Sequence, residues 1–340
     1  MQAVIMAGGR GERLRPLTSL VPKPLVPLFG RPLLHHLLER LRIWGVDDVI
    51  LTLGYGAEQI RESVESEDFG LNILTLVEDR PRGTAGGVRA ALALLDETFL
   101  VLSGDGLLDV DLGALVEHHR DEGNAVTLCL ARPESGLQFG LVDADDEGAV
   151  QRFVEKPRFA DVFPSQGLNT GVYVLEQRAL ATVPEGENWD FSHDLFPHLL
   201  ERGARIGGHF ATRYWRDVGN VLSYLEAHWD VLDGRIDLAS PELDLVRPDA
   251  VPEGVRLTGP VSIAPGASFG TDVLLSGPVV IGPNCRIDAG AHLSHTVLWS
   301  GVHVGHGCRL AQTVVTTNTR ISPGAHLHGG VIMARSGHLV

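Results

Sequence analysis

From Val251 onward the chain keeps a six-residue beat. Apolar residues fall at Val251, Leu257, Ile263, Phe269, Leu275, Ile281, Ile287, Leu293 and Trp299 without a break. Four positions after each of the first eight stands a small or branched residue: Val255, Val261, Ala267, Val273, Val279, Cys285, Ala291 and Val297. Glycine and proline fill the corners, as in Ala264-Pro265-Gly266 and Gly282-Pro283. The beat slips by one residue after Trp299, resumes at Val304 and Leu310, slips again, and returns at Ile321 and Leu327. Helical periodicity has stopped by Gly234, and the beat that replaces it predicts a β-helix, a stack in which each coil buries the next.

Before Gly234 the pattern alternates strand with helix. Ala3-Val4-Ile5 reads as a buried strand, and Leu33 to Trp44 as an amphipathic helix with Leu34, Leu37, Leu38 and Leu41 on one face. Strands are expected at 49–53, 71–77, 99–103 and 125–131, and helices at 57–64, 87–95 and 112–120. A hairpin of 139–142 with 149–154 turns around Asp145-Asp146-Glu147-Gly148. Such alternation predicts an α/β domain, a Rossmann-like doubly wound and mostly parallel sheet covered on both faces. The expected division is a domain over 1–234, a linker over 235–250 and the repeat domain over 251–340.

The first strand runs into Met6-Ala7-Gly8-Gly9-Arg10-Gly11-Glu12-Arg13-Leu14-Arg15-Pro16-Leu17-Thr18, closed by Pro22-Lys23-Pro24-Leu25. Ligands of open α/β sheets sit at the carboxyl ends of strands. Glycines there let backbone N–H groups approach a phosphate or a base edge. Arg13 and Lys23 add fixed positive charge, so the loop reads as a site for a polyphosphate. It is not a dinucleotide fingerprint, because Leu14 stands where the third glycine belongs, and no Gly-Lys-Ser/Thr opens a helix as in a P-loop. Pro16, Pro22, Pro24 and Pro27 instead keep the chain extended.

Two further turns point to the same sheet edge. Arg82-Gly83-Thr84-Ala85-Gly86-Gly87 offers unobstructed N–H groups suited to a nucleobase or phosphate. Helix capping with close helix–sheet packing explains that turn equally well. Ser103-Gly104-Asp105 sets a carboxylate where a triphosphate would be repelled unless the carboxylate binds a metal. Asp109 and Asp111 read as part of a solvated loop, 109–113, leading into the next helix. Phe191-Ser192-His193-Asp194 before Leu195-Phe196-Pro197 reads as a capped helix start, which gives Ser192 and Asp194 capping rather than catalytic work.

The segment Ala7 to Leu25 resembles the signature of the sugar-1-phosphate nucleotidylyltransferases (NDP-sugar pyrophosphorylases). The likeness runs through nearly the whole chain and is greatest to the mannose-1-phosphate guanylyltransferases. It implies a left-handed β-helix, and catalytic charge from Arg13 and Lys23. It implies nucleotide binding by Ala7, Gly8, Gly9, Gly11, Gly83, Thr84 and Gly104, with Gly83-Thr84-Ala85-Gly86 helping to hold the base. Relatives that use thymidine or uridine nucleotides carry a glutamine in that turn, and its absence here favours a purine. Asp105 would ligate Mg²⁺ together with Asp217, found in Tyr214-Trp215-Arg216-Asp217-Val218-Gly219. Phe153-Val154-Glu155-Lys156-Pro157, with Gly140 before it and Leu168-Asn169-Thr170-Gly171-Val172-Tyr173 after, repeats the family order. Sugar-phosphate binding is thereby implied for Gly140, Glu155, Lys156, Asn169 and Gly171: Glu155 and Asn169 on sugar hydroxyls, Lys156 on the phosphate. Relatives usually continue with Gly-Thr-Pro where this chain has Gly219-Asn220-Val221, a departure at the start of the helix 221–232 rather than at the ligand.

A chain of 340 residues with 44% hydrophobic content can build a sizeable core, and no disorder is expected. A formal net charge of −15 argues against binding nucleic acid across a broad basic face. Nucleotide binding then needs a few converging Arg and Lys and a divalent cation to screen the phosphates, which makes magnesium the expected cofactor. No membrane span or signal segment is expected, and Cys129, Cys285 and Cys308 form no disulfide framework or metal cluster, so cytoplasm is the expected location.

The activity implied is transfer of a nucleotidyl group from an NTP to a sugar 1-phosphate, giving NDP-sugar and pyrophosphate, with GTP and mannose 1-phosphate as substrates. The alternative within the class is a glucose-1-phosphate enzyme using UTP, dTTP or ATP. A non-catalytic relative that senses nucleotide sugars would have lost Arg13, Lys23 or an aspartate, and all four are present. His292, His295, His303, His306, His326 and His328 raise an acyltransferase, yet no acyl-carrier feature stands beside them. The repeat domain reads as structural, for homo-oligomer contacts.

Overall fold

The structure, a computed structural model, describes residues 1–132, 141–145, 148–154, 166–238 and 253–334. Gly140, Glu155, Lys156, most of the 235–250 segment and Val251 lie outside the described residues. Packing divides the chain into two compact units, one of Met1–Arg10 with Leu37–Asp217, the other of Gly11–His36 with Val218–Val340. These bounds follow contact rather than chain order. The signature loop and the last helix pack with the repeat domain.

In chain order the elements begin with β1 (Gln2–Ala7), the short strands β2 (Pro27–Leu28) and β3 (Arg31–Pro32), α1 (Leu33–Ile43), β4 (Asp48–Leu53), α2 (Ala57–Glu65), β5 (Asn72–Val77) and α3 (Gly83–Arg89). Next come β6 (Thr98–Ser103), β7 (Gly106–Val110), α4 (Leu112–Asp121), β8 (Val126–Ala131), β9 (Leu141–Ala144) and β10 (Val150–Val154). The series closes with β11 (Gln166–Glu176), α5 (Gln177–Leu180), α6 (Phe196–Glu201), β12 (Ile206–His209), β13 (Thr212–Asp217) and α7 (Val221–Leu232).

In the first unit, β1 is buried by neighbours on both sides. It pairs in parallel with β4, Val4 opposite Ile50, and with β6, Ile5 opposite Leu102. The sheet order is β10-β9-β11-β6-β1-β4-β5, with β8 on β11 and β12 on β8. β11 runs antiparallel to β6, β8 and β9, so the sheet is mixed rather than mostly parallel. The reason is non-local: β11 enters the sheet beside β6, Val172 opposite Leu102, a partner seventy positions back that no nearby pattern names. Val4, Phe99, Val101, Leu128, Leu130 and Tyr173 from the strands pack with Phe191 and Phe196 in one core. Two sequence expectations shift. The helix expected at 87–95 runs from Gly83 to Arg89. The expected 109–113 loop is divided, with Asp109 in β7 opposite Tyr214, and Asp111 capping α4 by accepting Ala114 N–H.

In the second unit, strands stack in parallel along successive coils. Val255 faces Val273 and Leu274 faces His292, each eighteen positions on; His292 faces Arg309 and Arg309 faces His326, each seventeen on. The first slip falls earlier than the sequence places it: Ser276 faces Ser294, eighteen on, but Ile281 faces Leu298, seventeen on, so Leu298 rather than Trp299 takes the interior position. The second slip agrees, with Val315 facing Leu298 and Ile321 following six positions later. Val273, Leu275, Ile281, Ile287, Leu293, Val304 and Leu310 fill the coil interior. Trp299 is buried but stands apart from that core, bonded to α7 instead. Asn220 starts α7 with a capping box, its side chain accepting Ser223 N–H while Ser223 Oγ accepts Asn220 N–H. The departure from the family's Gly-Thr-Pro therefore retains a capped helix start.

α7 buries His228 completely, and His36 is 6% exposed. Burial pushes both imidazoles down to about 4 from 6.5. The unfolded chain therefore binds protons that the folded chain excludes, so stability is full above about pH 6.5 and is lost as pH falls toward about 4. The melting temperature should drop across that window, and the drop should be shallower in His228→Asn; a curve of the same slope in both proteins would refute the assignment.

Candidate active site

The candidate residues fall in two stretches, one in each unit. In the first unit they gather at the carboxyl ends of the parallel strands. Gly8 O accepts Tyr55 N–H at 3.2 Å, and a Cβ on Gly54 would stand 2.9 Å from that oxygen. Gly104 N–H donates to Met6 O at 3.0 Å, and a Cβ on Gly104 would also press on that oxygen. Close backbone approach thus accounts for Gly54 and Gly104. Gly9 is different: it is exposed, outside the left-handed region, and an added Cβ meets nothing within 4 Å. The protein's own packing does not require glycine at that position.

Asp105 follows Gly104, and its Oδ1 accepts Ser103 Oγ–H at 2.5 Å. Asp217 ends β13 opposite Gly106 of β7, so the ladder sets it one position from Asp105. Both aspartates are half-buried. Among the described residues no group of three or more His, Cys, Asp or Glu could hold a metal. Two anchored carboxylates nevertheless suit Mg²⁺, which takes one or two protein carboxylates and completes its shell with water and phosphate oxygens.

The turn before the middle of β11 lies beside them. Asn169 Oδ1 accepts Gly171 N–H at 3.0 Å, and its Nδ2 donates to Tyr173 Oη at 3.1 Å and Ser192 Oγ at 3.5 Å. Gly171 has φ +75°, and a Cβ there would come 3.1 Å from Ser103 Cβ. Trp215 Nε1 donates to Thr170 O at 3.0 Å, tying β13 to the same turn. Asn169, Gly171, Ser103, Asp105 and Asp217 therefore form one neighbourhood. Gly140, Glu155 and Lys156 lie outside the described residues.

The Gly83–Gly87 turn is engaged by the protein rather than left open. Ala85 and Gly86 N–H both donate to Trp189 O, at 2.9 and 3.0 Å. A Cβ on Gly83 would collide with Trp189 O, and one on Gly86 with Glu187 O. Thr84 Oγ1 donates to Asp190 at 2.7 Å and accepts Phe191 N–H at 3.0 Å. Close packing thus explains these glycines, and the expected unobstructed N–H groups at Ala85 and Gly86 are taken. Asp190 is the residue the sequence reading missed. It caps the Phe191–Leu195 turn by accepting Ser192 and His193 N–H, while Asp194 accepts Asp190 N–H in return. An Asp directly before a helix start was the available signal. Glu78 was also missed; burial raises its carboxyl pKa, and it accepts Arg82 N–H behind Gly87.

In the second unit the signature loop is a run of single turns, Glu12–Leu14, Leu17–Ser19 and Lys23–Leu25. Gly11 has φ +60°, and its carbonyl accepts Leu14 N–H at 3.0 Å and Thr18 Oγ1–H at 2.9 Å. A Cβ on Gly11 would stand 2.8 Å from Lys23 Cβ. The glycine thus makes room for the Lys23 stem, which is 7% exposed, while Arg13 is exposed. The cysteines are buried, and burial pushes the Cys129 thiol up, so they offer no ready nucleophile.

Comparison with known proteins bears on the family. Residues 2–234 match the Nucleotidyl transferase family, and residues 257–339 match the GMPPB C-terminal domain. The chain is 34% identical to a mannose-1-phosphate guanylyltransferase of Mycobacterium tuberculosis over 91% of this chain and 82% of that one. It is 31% identical to a UTP–glucose-1-phosphate uridylyltransferase of Synechocystis over 93% of this chain and 87% of the relative. Among solved structures, HddC from Yersinia pseudotuberculosis complexed with GMP-PN matches with a TM-score of 0.59 and 27% identity, covering 67% of this chain and 98% of that one.

The two loop glycines should separate by experiment. Gly11→Ala forces a left-handed Cβ against Lys23 and should cost about 1–2 kcal/mol of stability or more. Gly9→Ala should melt like the parent; equal losses in thermal melts would contradict the distinction.

Proposed function

The chain belongs to the nucleotidyl transferase family, and from that premise we propose that it converts GTP and mannose 1-phosphate to GDP-mannose and pyrophosphate. The observation that carries the reading is the ladder that sets Asp217 beside Gly106, one position from Asp105, at the edge where the turn after β1 also lies. Gly9, where an added Cβ meets nothing within 4 Å, fits a backbone that a phosphate must approach. The Mycobacterium guanylyltransferase, the match of the C-terminal segment and the GMP-PN complex of HddC support guanine and mannose. The Synechocystis relative keeps a glucose-1-phosphate uridylyltransferase as the second reading.

In this reading an oxygen of the sugar phosphate attacks the α-phosphorus of the NTP. That P–O bond forms as the bridge to the β-phosphorus breaks, and the electron pair leaves with pyrophosphate. The attacking phosphate is already ionised, so no protein nucleophile or base is needed, and catalysis is positioning plus charge neutralisation. Arg13 takes the β- and γ-phosphates, and Lys23 the charge that develops on the α-phosphate. Asp105 and Asp217 are the groups that would hold Mg²⁺, whose bound charge screens the triphosphate. Lys156 steers the sugar phosphate, and Glu155 and Asn169 hold sugar hydroxyls. The repeat domain is assigned as a left-handed β-helix serving homo-oligomer contacts, in a cytoplasmic enzyme. Among the described residues no helix is long and apolar enough to cross a membrane.

Pyrophosphate release with Mg²⁺ across a grid of NTPs and sugar 1-phosphates tests the substrates. The strongest rate should fall at GTP with mannose 1-phosphate; a stronger rate elsewhere would replace the substrates, and a blank grid from folded protein would remove the activity. Lys23→Ala should lower turnover by roughly 100-fold or more without unfolding the protein. Near-parental turnover would deny Lys23 its role. Asp105→Asn and Asp217→Asn should each raise the Mg²⁺ concentration needed for half-maximal rate, whereas an unchanged requirement would count against both ligands.

A further inference from the structure

The β2–β3 hairpin is gripped by buried groups that belong to the second unit. Trp299 Nε1 donates to Tyr224 Oη at 2.9 Å, and Tyr224 Oη donates to Pro27 O at 2.6 Å. Tyr224 is fully buried and Trp299 is 5% exposed. His228 Nδ1–H donates to Tyr224 O at 3.0 Å, which leaves Nε2 as the acceptor for Phe29 N–H at 3.4 Å. His36 Nε2–H donates to Leu28 O at 2.9 Å. At the hairpin tip a Cβ on Gly30 would stand 3.4 Å from Pro283 Cδ of the coils. Three consecutive residues, Pro27 to Phe29, are thus bonded by Tyr224, His36 and His228, with Trp299 of the coil stack bonded to Tyr224 in turn.

Lys23 lies four positions upstream, with little slack between. Lys23 O accepts Val26 N–H at 3.1 Å, and Val26 O accepts Leu33 N–H at 3.2 Å. Pro24 and Pro27 fix their own φ angles within this stretch. Trp299 can only donate and Pro27 O can only accept, so a hydroxyl between them satisfies both. Phenylalanine in its place would leave both without that partner.

We propose that the Trp299–Tyr224–Pro27 relay is a positioning device for Lys23, through which the coil domain sets the place of the lysine that neutralises the α-phosphate. This rests on the transferase reading above. The coil domain is then part of the catalytic apparatus as well as a stack for assembly, and Tyr224 and Trp299 act through Lys23 without touching substrate.

The test is Tyr224→Phe in the full-length chain, read by steady-state kinetics and by amide hydrogen exchange. At saturating substrates kcat should fall about tenfold, with KM for the sugar phosphate changed by less than about twofold. Exchange at Val26 and Leu33 should quicken while coil amides keep their protection. In a Lys23→Ala background the Tyr224→Phe loss should vanish, because both changes act through one group. A lower melting temperature with parental kcat and parental exchange would overturn the proposal and leave the relay merely structural. If the parent releases no pyrophosphate with any substrate pair, the transferase reading fails, and exchange alone decides: quicker exchange at Val26 and Leu33 upholds the positioning, and unchanged exchange overturns it. Should Tyr224→Phe not fold, Trp299→Phe removes only the first donor and is read the same way.

Discussion

The pairing of β1 with β6 is the constraint on which the α/β site depends. Met6 opposite Ser103 brings the turn at Gly8 and the turn at Gly104 to one edge, close enough for Gly104 N–H to bond Met6 O. β11 then uses the other side of β6, Val172 opposite Leu102, which delivers Gly171 onto Ser103. β7 leaves the same turn and recruits β13, which carries Asp217. Slipping β6 by one residue would scatter all of these at once. Phe99, Leu100, Val101 and Leu102 are all fully buried, so a slip would have to repack both faces of the sheet, and close packing around one strand holds a polar site it does not belong to.

The glycines of the site serve different masters. Gly11 is held by its own backbone angle and by the Lys23 stem, Gly104 by the carbonyl of Met6, and Gly83 and Gly86 by the loop at Glu187 to Trp189. Each is needed whether or not a ligand ever binds. Gly9 alone among these lacks such a reason. A glycine-rich motif is therefore mostly architecture, and the positions that architecture does not explain stand out only once a Cβ can be placed at each.

What could be read from the sequence follows the range of the interactions. The strand before Gly8 and the six-residue beat as far as Leu293 are local and appear where their patterns put them, and the capped start near Phe191 appears with Asp190 rather than Ser192 as its cap. The first slip in the beat is misplaced by the pattern, because Trp299 is as apolar as Leu298 and only the register of the coils shows which of them faces inward. The mixed sheet was not legible, because nothing near Asn169 says that β11 returns antiparallel beside β6. Asp109 was assigned to a loop although Leu107, Leu108 and Val110 surround it, since its partner strand lies about a hundred residues on at Tyr214. Least legible was the grip on the signature loop: Phe29 and His228 are 199 positions apart, and neither stands in a motif.

That grip explains why the signature loop packs with a domain so far away in sequence. A chemistry without a protein nucleophile depends on where its charges stand, and a lysine on a proline-stiffened loop stands only as firmly as the loop's anchor. Exposed ion pairs such as Arg61 with Glu58 would make a poor anchor, because solvent and rotamer entropy consume most of what they contribute. A tyrosine hydroxyl buried between an indole and a carbonyl is a better one, since every alternative arrangement leaves polar groups unpaired away from water. The coil stack supplies the indole from a rigid ladder, Trp299 N–H itself bonded to Val315 O of the next coil. In the proposed relay, rigidity built by repetition in roughly the last quarter of the chain is conveyed to the loop that carries Lys23.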